Sequence, residues 1–132
     1  MKDIYLLRGD KVIHADETIS PGTRDDIERQ KIFLQFDELI DILIQDINSR
    51  RCVATFMTEK DGQLSYSCPS LIQLFTEKGK LNIKTYFRSA NFTSNFNYDK
   101  NTLRMLMTRM LFKLPKIKMG YIKIFIGCPH EA

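Results

Sequence analysis

Four short segments hold residue types used in nucleophilic catalysis and anion binding. They are Ser49-Arg50-Arg51, Cys68 with Gln73 five residues later, Arg88-Ser89, and His130 near the end of the sequence. Arg88-Ser89 closes a segment, KLNIKTYFRS, whose alternating pattern is that of a core strand. A charged and a hydroxyl side chain at that place raise the question of which ligand they would bind.

The charge of the chain is unevenly distributed. Residues 1–47 hold 6 Lys+Arg and 11 Asp+Glu, a net charge of −5, whereas residues 48–132 hold 14 and 5, a net charge of +9. The basic part favours an anionic partner, such as the phosphate of a small nucleotide, a nucleic acid or an acidic protein surface. Alternatively, the two halves face each other or a symmetry mate.

Each candidate residue also has a structural alternative. Cys68 could be a small buried hydrophobe within a strand. Arg50 and Arg51 could be the cations at a helix C-terminus, where they suit the helix dipole. Asp99 could be a helix N-cap, and His130 could simply be exposed.

The elements that must position these residues follow from hydrophobic spacing and turn residues. Helices are predicted over much of 25–47 and over 99–112, and strands over 52–58, 64–76, 81–89 and 121–127. Turns are predicted at Asp61-Gly62 and within 77–80, a bulge or edge position at Pro69, and core positions for Phe112, Tyr121 and Phe125. Because residues 4–7 have only a weak strand pattern, the predicted order is helix, three strands, helix, strand. This order predicts a single α+β domain over residues 1–132, with one mixed or antiparallel sheet and helices packed on one face.

Composition narrows the class of protein. The 132 residues are 43% hydrophobic and 27% charged, which is typical of a globular domain, and no apolar run is long enough to span a membrane. The three cysteines have scattered spacings, which argues against a disulfide framework and favours a reducing cytoplasm. No cysteine or histidine spacing indicates a zinc site.

The order of the motifs resembles the central part of thymidylate synthase and its relatives, the deoxycytidylate and cytidylate hydroxymethylases. The matching segments, over about residues 35–130, are INSRRCVATF, SCPSLIQLF, KGKLNIKTYFRSAN and YIKIFIGCPH. The resemblance implies a thymidylate synthase-like fold and an obligate homodimer. It also implies an enzyme that modifies C5 of a pyrimidine nucleoside monophosphate, with methylenetetrahydrofolate as the cofactor.

The resemblance also implies roles for individual residues. Arg88 and Ser89 match the pair that holds the nucleotide phosphate, a task for which a guanidinium fork and a hydroxyl are well suited. Arg50 and Arg51 match arginines that reach the phosphate in the other subunit. Cys68 matches the nucleophile that attacks C6 of the base as its thiolate.

Three further residues match the part of the site that contacts the base and the sugar. Gln73 matches a buried glutamine near the site, and His130 matches the histidine that contacts the sugar hydroxyl. Asp99 stands where the family has an asparagine that reads the base. A carboxylate can accept a hydrogen bond from the cytosine amine, so Asp99 implies a preference for a cytidine nucleotide.

Departures from the family pattern leave more than one function open. Pro69 replaces the histidine after the nucleophile, the chain has no tryptophan, and the folate-binding segment is not visible. The alternative to an enzyme is a non-catalytic dimer that binds a nucleotide or a protein partner. A third class, a nucleic-acid-binding module, is disfavoured because aromatic residues are not interleaved with the basic ones.

Overall fold

A mixed sheet with two helices on one face forms the described part of the chain. The structure is a computed structural model that describes residues 4–8, 24–91 and 96–130. The elements in chain order are β1 (Ile4–Arg8), α1 (Arg24–Gln45), β2 (Val53–Lys60), β3 (Gln63–Glu77), β4 (Lys80–Asn91), α2 (Phe96–Leu111) and β5 (Lys118–His130). The α+β fold predicted from the sequence is confirmed.

The sheet has the strand order β1-β5-β4-β3-β2. Strands β4 and β5 are parallel, and the other neighbouring pairs are antiparallel. The predicted element order was wrong in omitting β1, which pairs along the free edge of β5 with Ile4 opposite Phe125. The strand pattern of β1 covers only five residues, and the strand that pairs with it lies at the other end of the sequence.

Two tight turns fix the register of the antiparallel strands. Asp61 and Gly62 have φ angles of 55° and 79°, and Lys78 and Gly79 have φ angles of 53° and 75°. Positive φ at both central residues is typical of the two-residue hairpin turn whose twist matches that of the strands. Both predicted turns are therefore confirmed.

One hydrophobic core lies between the helices and the sheet. Alternate strand residues such as Ile72, Ile83 and Ile124 are fully buried and share one cluster with Phe36 of α1 and Leu106 of α2. Because successive strand residues point to opposite faces, the residues between them form the outer face of the sheet, away from the helices.

The end of α2 differs from its prediction. The helix begins at Phe96 and ends at Leu111, so Phe112 lies beyond it and is 86% exposed. Leu114, two residues further on, is buried instead. The prediction that Phe112 belongs to the core was wrong because the helical spacing does not continue past Leu111.

Candidate active site

Parallel pairing brings the ends of β4 and β5 together. Ser89 lies opposite Cys128, and Asn91 lies opposite His130. Because both strands run in the same direction, Arg88-Ser89 and His130 share one edge of the sheet, which we call the carboxyl end. The side chain of His130 lies outside the described part of the structure.

A bulge in β3 brings Cys68 to the same region. Thr55 pairs with Leu71 and Met57 with Tyr66, so β3 advances five residues where β2 advances two. Within the bulge, Ser70 Oγ donates to the Ser67 carbonyl oxygen at 2.6 Å. Pro69 has no N–H to donate to a sheet, which is why the ladder breaks here, and the bulge predicted from this proline is confirmed.

The bulge faces the last part of β4. Pairing between β3 and β4 runs only as far as Leu71 opposite Tyr86, so the extra residues of β3 lie beside the segment that leads to Arg88. The bulge that contains Cys68 therefore continues from this last pair towards the carboxyl end of β4. The side chain of Cys68 lies outside the described part of the structure.

Arg88 and Ser89 present their polar groups together. The Arg88 guanidinium donates from Nη1 to Ser89 Oγ at 3.3 Å. Neighbouring residues of a regular strand point to opposite faces, so the long Arg88 side chain bends to reach the hydroxyl. A guanidinium fork beside a hydroxyl can donate several hydrogen bonds to one phosphate group.

Gly127 allows Tyr86 to approach the strand that holds Arg88. A methyl group on Gly127 would overlap Tyr86 Oη and would lie 3.0 Å from the Arg88 carbonyl oxygen. Glycine at this position of β5 therefore leaves room for the tyrosine hydroxyl next to the candidate phosphate site.

The first turn of α2 places Asp99 near the carboxyl end. Phe96 is buried and packs edge-on against Phe87 and Tyr5, with ring centroids 6.3 Å and 4.9 Å apart. This contact fixes the start of α2 to the end of β4. Asp99 is half-buried within the first turn and not in front of it, so the N-cap interpretation was wrong.

A buried arginine stabilises this turn of α2. Arg29 of α1 is only 2% exposed. It donates from Nε to Thr102 Oγ1 at 2.8 Å and from Nη2 to the Tyr98 carbonyl oxygen at 3.3 Å, and its guanidinium lies 3.8 Å from the centre of the Tyr98 ring. The guanidinium thus positions the backbone immediately before Asp99. Sequence reasoning missed Arg29, although it occupies the apolar stripe of α1 four residues before Phe33, an unusual place for a cation.

Positive charge accumulates on the same part of α2. Burial, followed by the charge of Arg104, lowers the pKa of the half-buried Lys100. The Lys100 ammonium also lies 5.0 Å from the centre of the Phe96 ring. An anion bound nearby would offset both the cost of partly burying the Lys100 ammonium and its repulsion by Arg104.

Gln73, Arg50 and Arg51 lie elsewhere in the chain's own fold. Gln73 pairs with Val53, and its amide Nε2 donates to the Arg50 carbonyl oxygen at 3.0 Å. Gln73 lies five positions after Cys68, in the regular part of β3 beyond the bulge. The parallel pairing thus brings Arg88, Ser89 and the backbone of His130 to one edge, but not this second group.

The segment that contains the two arginines is held by its backbone. Arg50 and Arg51 are exposed, and the N–H of Arg51 donates to Ser49 Oγ at 3.2 Å. Because α1 ends at Gln45, the alternative that they are the cations of its C-terminus was wrong. Their side chains are available to a second molecule at the opposite end of the sheet from Arg88.

Comparison of the sequence with models of protein families identifies the family of this chain. The model for thymidylate synthase matches residues 9–130 of the chain. The chain belongs to the thymidylate synthase family. A search of curated proteins found no match. Members of this family bind pyrimidine nucleoside monophosphates, generally use methylenetetrahydrofolate and are usually dimeric, and the general function of the family is methyl transfer to a nucleotide.

Two further observations concern the described residues of this thymidylate synthase family member. Within 4–8, 24–91 and 96–130, no group of three or more His, Cys, Asp or Glu side chains is placed to hold a metal ion. Neither α1 nor α2 is long and apolar enough to cross a membrane.

Proposed function

We propose that this chain binds a pyrimidine nucleoside monophosphate and transfers a methyl or hydroxymethyl group to C5 of the base. The substrate is a (deoxy)cytidylate or deoxyuridylate. The observation that supports this proposal best is the meeting of the β3 bulge with the carboxyl ends of β4 and β5. The strand pairing sets Arg88-Ser89 beside the last residues of β5, which include His130, and the bulge that contains Cys68 lies on the strand next to β4.

The phosphate would be bound by Arg88 and Ser89. Their guanidinium and hydroxyl are already adjacent, so they need little reordering to share one phosphate group. Arg50 and Arg51 of a second subunit would complete the site, because they are exposed and lie away from Arg88 within one chain.

Cys68 would supply the nucleophile. Its thiolate would form a bond to C6 of the pyrimidine, and the electron pair of the C5–C6 double bond would move to C5, which can then take up a proton from solvent or, when a one-carbon donor is bound, react with that donor. Loss of the C5 proton and departure of the Cys68 thiolate restore the double bond. The positive charge of Arg88 near the bulge would favour the thiolate over the thiol.

The base and the sugar would be held by the remaining predicted residues. Asp99 would accept from the exocyclic amine of cytosine, and His130 would contact the sugar hydroxyl. Gln73 would act through its hydrogen bond to the Arg50 backbone, which positions the two arginines for the other subunit.

A continuous apolar row on the outer face of the sheet supports a homodimer. Ile4, Phe125, Tyr86 and Leu71 are successive cross-strand neighbours on β1, β5, β4 and β3. Ile4 and Tyr86 are exposed, and the other two are half-buried. Contact between two copies of this face would remove the row from water.

Methylenetetrahydrofolate is the one-carbon donor of this proposal because the family generally uses it. The described residues at the carboxyl end do not fit its flat pterin ring. Phe87 and Phe96 are buried in the core, and Arg29 covers one face of Tyr98. We therefore assign no residue to the cofactor.

Calorimetric titration with dCMP, CMP, dUMP and UMP tests the nucleotide site. We expect cytidylates to bind more tightly than uridylates, and Arg88→Ala to weaken binding at least about tenfold through loss of a charge-assisted hydrogen bond. Lys84→Ala, an exposed change on the same strand, is the matched control and should leave binding unchanged. Absence of binding to all four nucleotides would contradict the proposal.

Exchange of the C5 proton tests the Cys68 adduct without any folate. The adduct makes C5 basic, so the wild-type protein should exchange H5 of dCMP for deuterium in heavy water, as followed by NMR. Cys68→Ala should bind dCMP normally and exchange nothing.

A second candidate function is a non-catalytic dimer that binds a nucleotide or a protein. Two observations favour it: Pro69 follows the nucleophile directly, and the described residues do not fit the cofactor. It predicts nucleotide binding without H5 exchange, and no difference between the wild-type protein and Cys68→Ala.

A further inference from the structure

One side of α1 exposes apolar side chains to water. Ile27 and Leu34 are 49% and 60% exposed, on the side of the helix opposite to the buried Phe36. Seven positions separate the two residues, which is about two helical turns, so they lie in line on the surface. Scattered exposed apolar residues are ordinary in a folded protein, so the charges around this pair must decide whether the surface has a role.

The charged residues on the same side of α1 are sorted along the helix. Lys31 lies between Ile27 and Leu34, whereas Glu38 and Asp41 follow Leu34. All five residues are exposed, and each is three or four positions from the next, which keeps them on one side of the helix. We call these five residues the α1 stripe. It has a cation before its central leucine and two acids after it.

The acids of the α1 stripe form no ion pair with any other residue that the structure describes. Glu38 and Asp41 are three positions apart, so their like charges repel each other. Residues 32–45 hold no Lys or Arg that could offset this repulsion within the helix. Lys31 lies 3.4 Å from Glu28, but an exposed pair of this kind contributes little. A surface that brings a cation to the two acids would therefore be stabilised by them.

The α1 stripe is complementary to itself when two copies run antiparallel. A two-fold axis close to Leu34 sets the residues before it in one copy opposite the residues after it in the other. Lys31 of each copy then lies opposite Glu38 and Asp41 of the other copy. The two Leu34 side chains meet at the centre, where they are removed from water. Each copy thus supplies the cation that the acids of the other copy need, twice in one contact.

We propose that the α1 stripe is an interface between two copies of this chain, distinct from the outer face of the sheet. The helices cover one face of the sheet and the apolar row lies on the other, so the two contacts do not compete. An anionic membrane or a nucleic acid is disfavoured, because the charge of Glu38 and Asp41 has the wrong sign for either. Together with the proposed homodimer, this interface would build a tetramer or a longer array.

Sedimentation velocity at about 1 to 100 μM protein tests the proposal, since one helix packed on another makes a small and weak interface. The sedimenting mass should at least double as the concentration rises, and salt should weaken the association because its ion pairs are exposed. Leu34→Glu should weaken the association at least about tenfold, because it places unpaired carboxylates at the apolar centre. Leu64→Glu is the matched control on β3, where the leucine is 68% exposed, and should associate as the wild-type protein does.

An exchange of charges between two variants gives a result that misfolding cannot imitate. Lys31→Glu alone should lose the association, and so should the double variant Glu38→Lys with Asp41→Lys, because each sets like charges against each other. An equal mixture of the two variants should restore it, since every cation then lies opposite acids again. Glu59→Lys changes an exposed acid of β2 and should have no effect.

The same titration in the variant Phe125→Glu with Leu71→Glu separates this interface from the proposed contact on the sheet. There the mass should rise from that of a monomer to that of a dimer, and Leu34→Glu should abolish the rise. Three results would each overturn the proposal. They are a wild-type mass that never exceeds that of Leu34→Glu, no recovery in the mixture, and binding of an added Lys-rich helical peptide without self-association.

Discussion

Asp99 is the residue whose identity would decide which pyrimidine the site accepts. Uracil offers an N–H at N3 and an acceptor at O4, whereas cytosine offers an acceptor at N3 and an amine at N4. A carboxylate can only accept, so it suits the amine of cytosine. Phe96 and Arg29 hold the turn of α2 that contains Asp99 through a ring contact and a hydrogen bond to the Tyr98 carbonyl oxygen.

We predict that Asp99→Asn shifts the preference from cytidylate towards uridylate. An amide can donate to O4 of uracil, and a mismatched buried polar pair costs about 1–3 kcal/mol, so the ratio of the two Kd values should change at least about tenfold. Calorimetry with dCMP and dUMP measures the ratio. Asn97→Ala, an exposed change in the same turn, is the control. An unchanged ratio would show that Asp99 does not contact the base.

Cys52 and Cys128 should differ sharply in reactivity. Cys52 is fully buried and donates to the Leu39 carbonyl oxygen at 3.5 Å, and burial raises the pKa of its thiol to about 11. Cys128 is exposed beside Ser89. We expect iodoacetamide at about pH 8 to label Cys128 in the native protein and Cys52 only in denaturant, as read by peptide mass spectrometry. Equal labelling of both in the native protein would contradict this environment for Cys52.

At the scale of elements, one ion cluster joins α1 to α2. Arg109 donates to Asp37 twice, at 2.8 Å and 2.6 Å, and the Lys113 ammonium lies 3.3 Å from the same carboxylate. The hydrogen bonds from Arg109 are the main reason that the pKa of Asp37 is lowered. Since α2 positions Asp99, this cluster also supports the candidate site.

We predict that Asp37→Asn lowers the free energy of unfolding by about 1 kcal/mol near neutral pH, because part of the cluster is exposed to solvent. Because the pKa of Asp37 is lower in the folded state, its carboxylate stabilises the fold at pH values above the ordinary pKa of 3.8. This stabilisation is lost as the pH falls through the pKa of the folded state. The wild-type advantage in urea unfolding should therefore shrink below pH 3.8. Asp41→Asn, an exposed change on α1 outside the ion cluster, is the matched control and should leave the free energy of unfolding near neutral pH unchanged.

Elements with strong local signals could be predicted from the sequence. Asp61-Gly62 and Lys78-Gly79 marked both hairpins, and Pro69 marked the bulge, because each signal is a backbone preference of the residue itself. The start of α2 was placed three residues late, since Asp99 has the composition of a cap and Phe96 does not. Tertiary packing of Phe96 on Phe87 extends the helix beyond what local preference indicates.

At the scale of the whole molecule, long-range contacts escaped prediction. The pairing of β1 with β5 joins residues from opposite ends of the chain, and no local pattern encodes it. The burial of Arg29 depends on Tyr98 and Thr102, which lie about 70 residues further on. The candidate residues Arg88, Ser89, Cys68 and His130 were found by motif order, but the position of Arg88-Ser89 beside the end of β5 depends on the parallel pairing of β4 with β5.

The outer face of the sheet gives a prediction about assembly. Phe125→Glu with Leu71→Glu should convert the proposed homodimer to a monomer, because buried unpaired carboxylates would interrupt the apolar row. Sedimentation velocity measures the change. Leu34→Glu, an equally drastic change at an exposed site on α1, should leave the dimer intact. A wild-type protein that sediments as a monomer would contradict the assembly.

Mixing two inactive variants tests whether each nucleotide site is shared. If Arg50 and Arg51 act across the dimer, both Arg88→Ala and the double variant Arg50→Ala with Arg51→Ala should on their own bind dCMP only weakly. In a mixed dimer, one nucleotide site combines the intact Arg88 of one subunit with the intact Arg50 and Arg51 of its partner. The second nucleotide site of that dimer lacks all three arginine side chains. Unfolding and refolding the two variants together should therefore restore tight binding to about a quarter of all sites, because half of the dimers formed at random are mixed. No recovery after mixing would place both arginines outside the phosphate site and leave Arg88 and Ser89 to hold the phosphate within one chain.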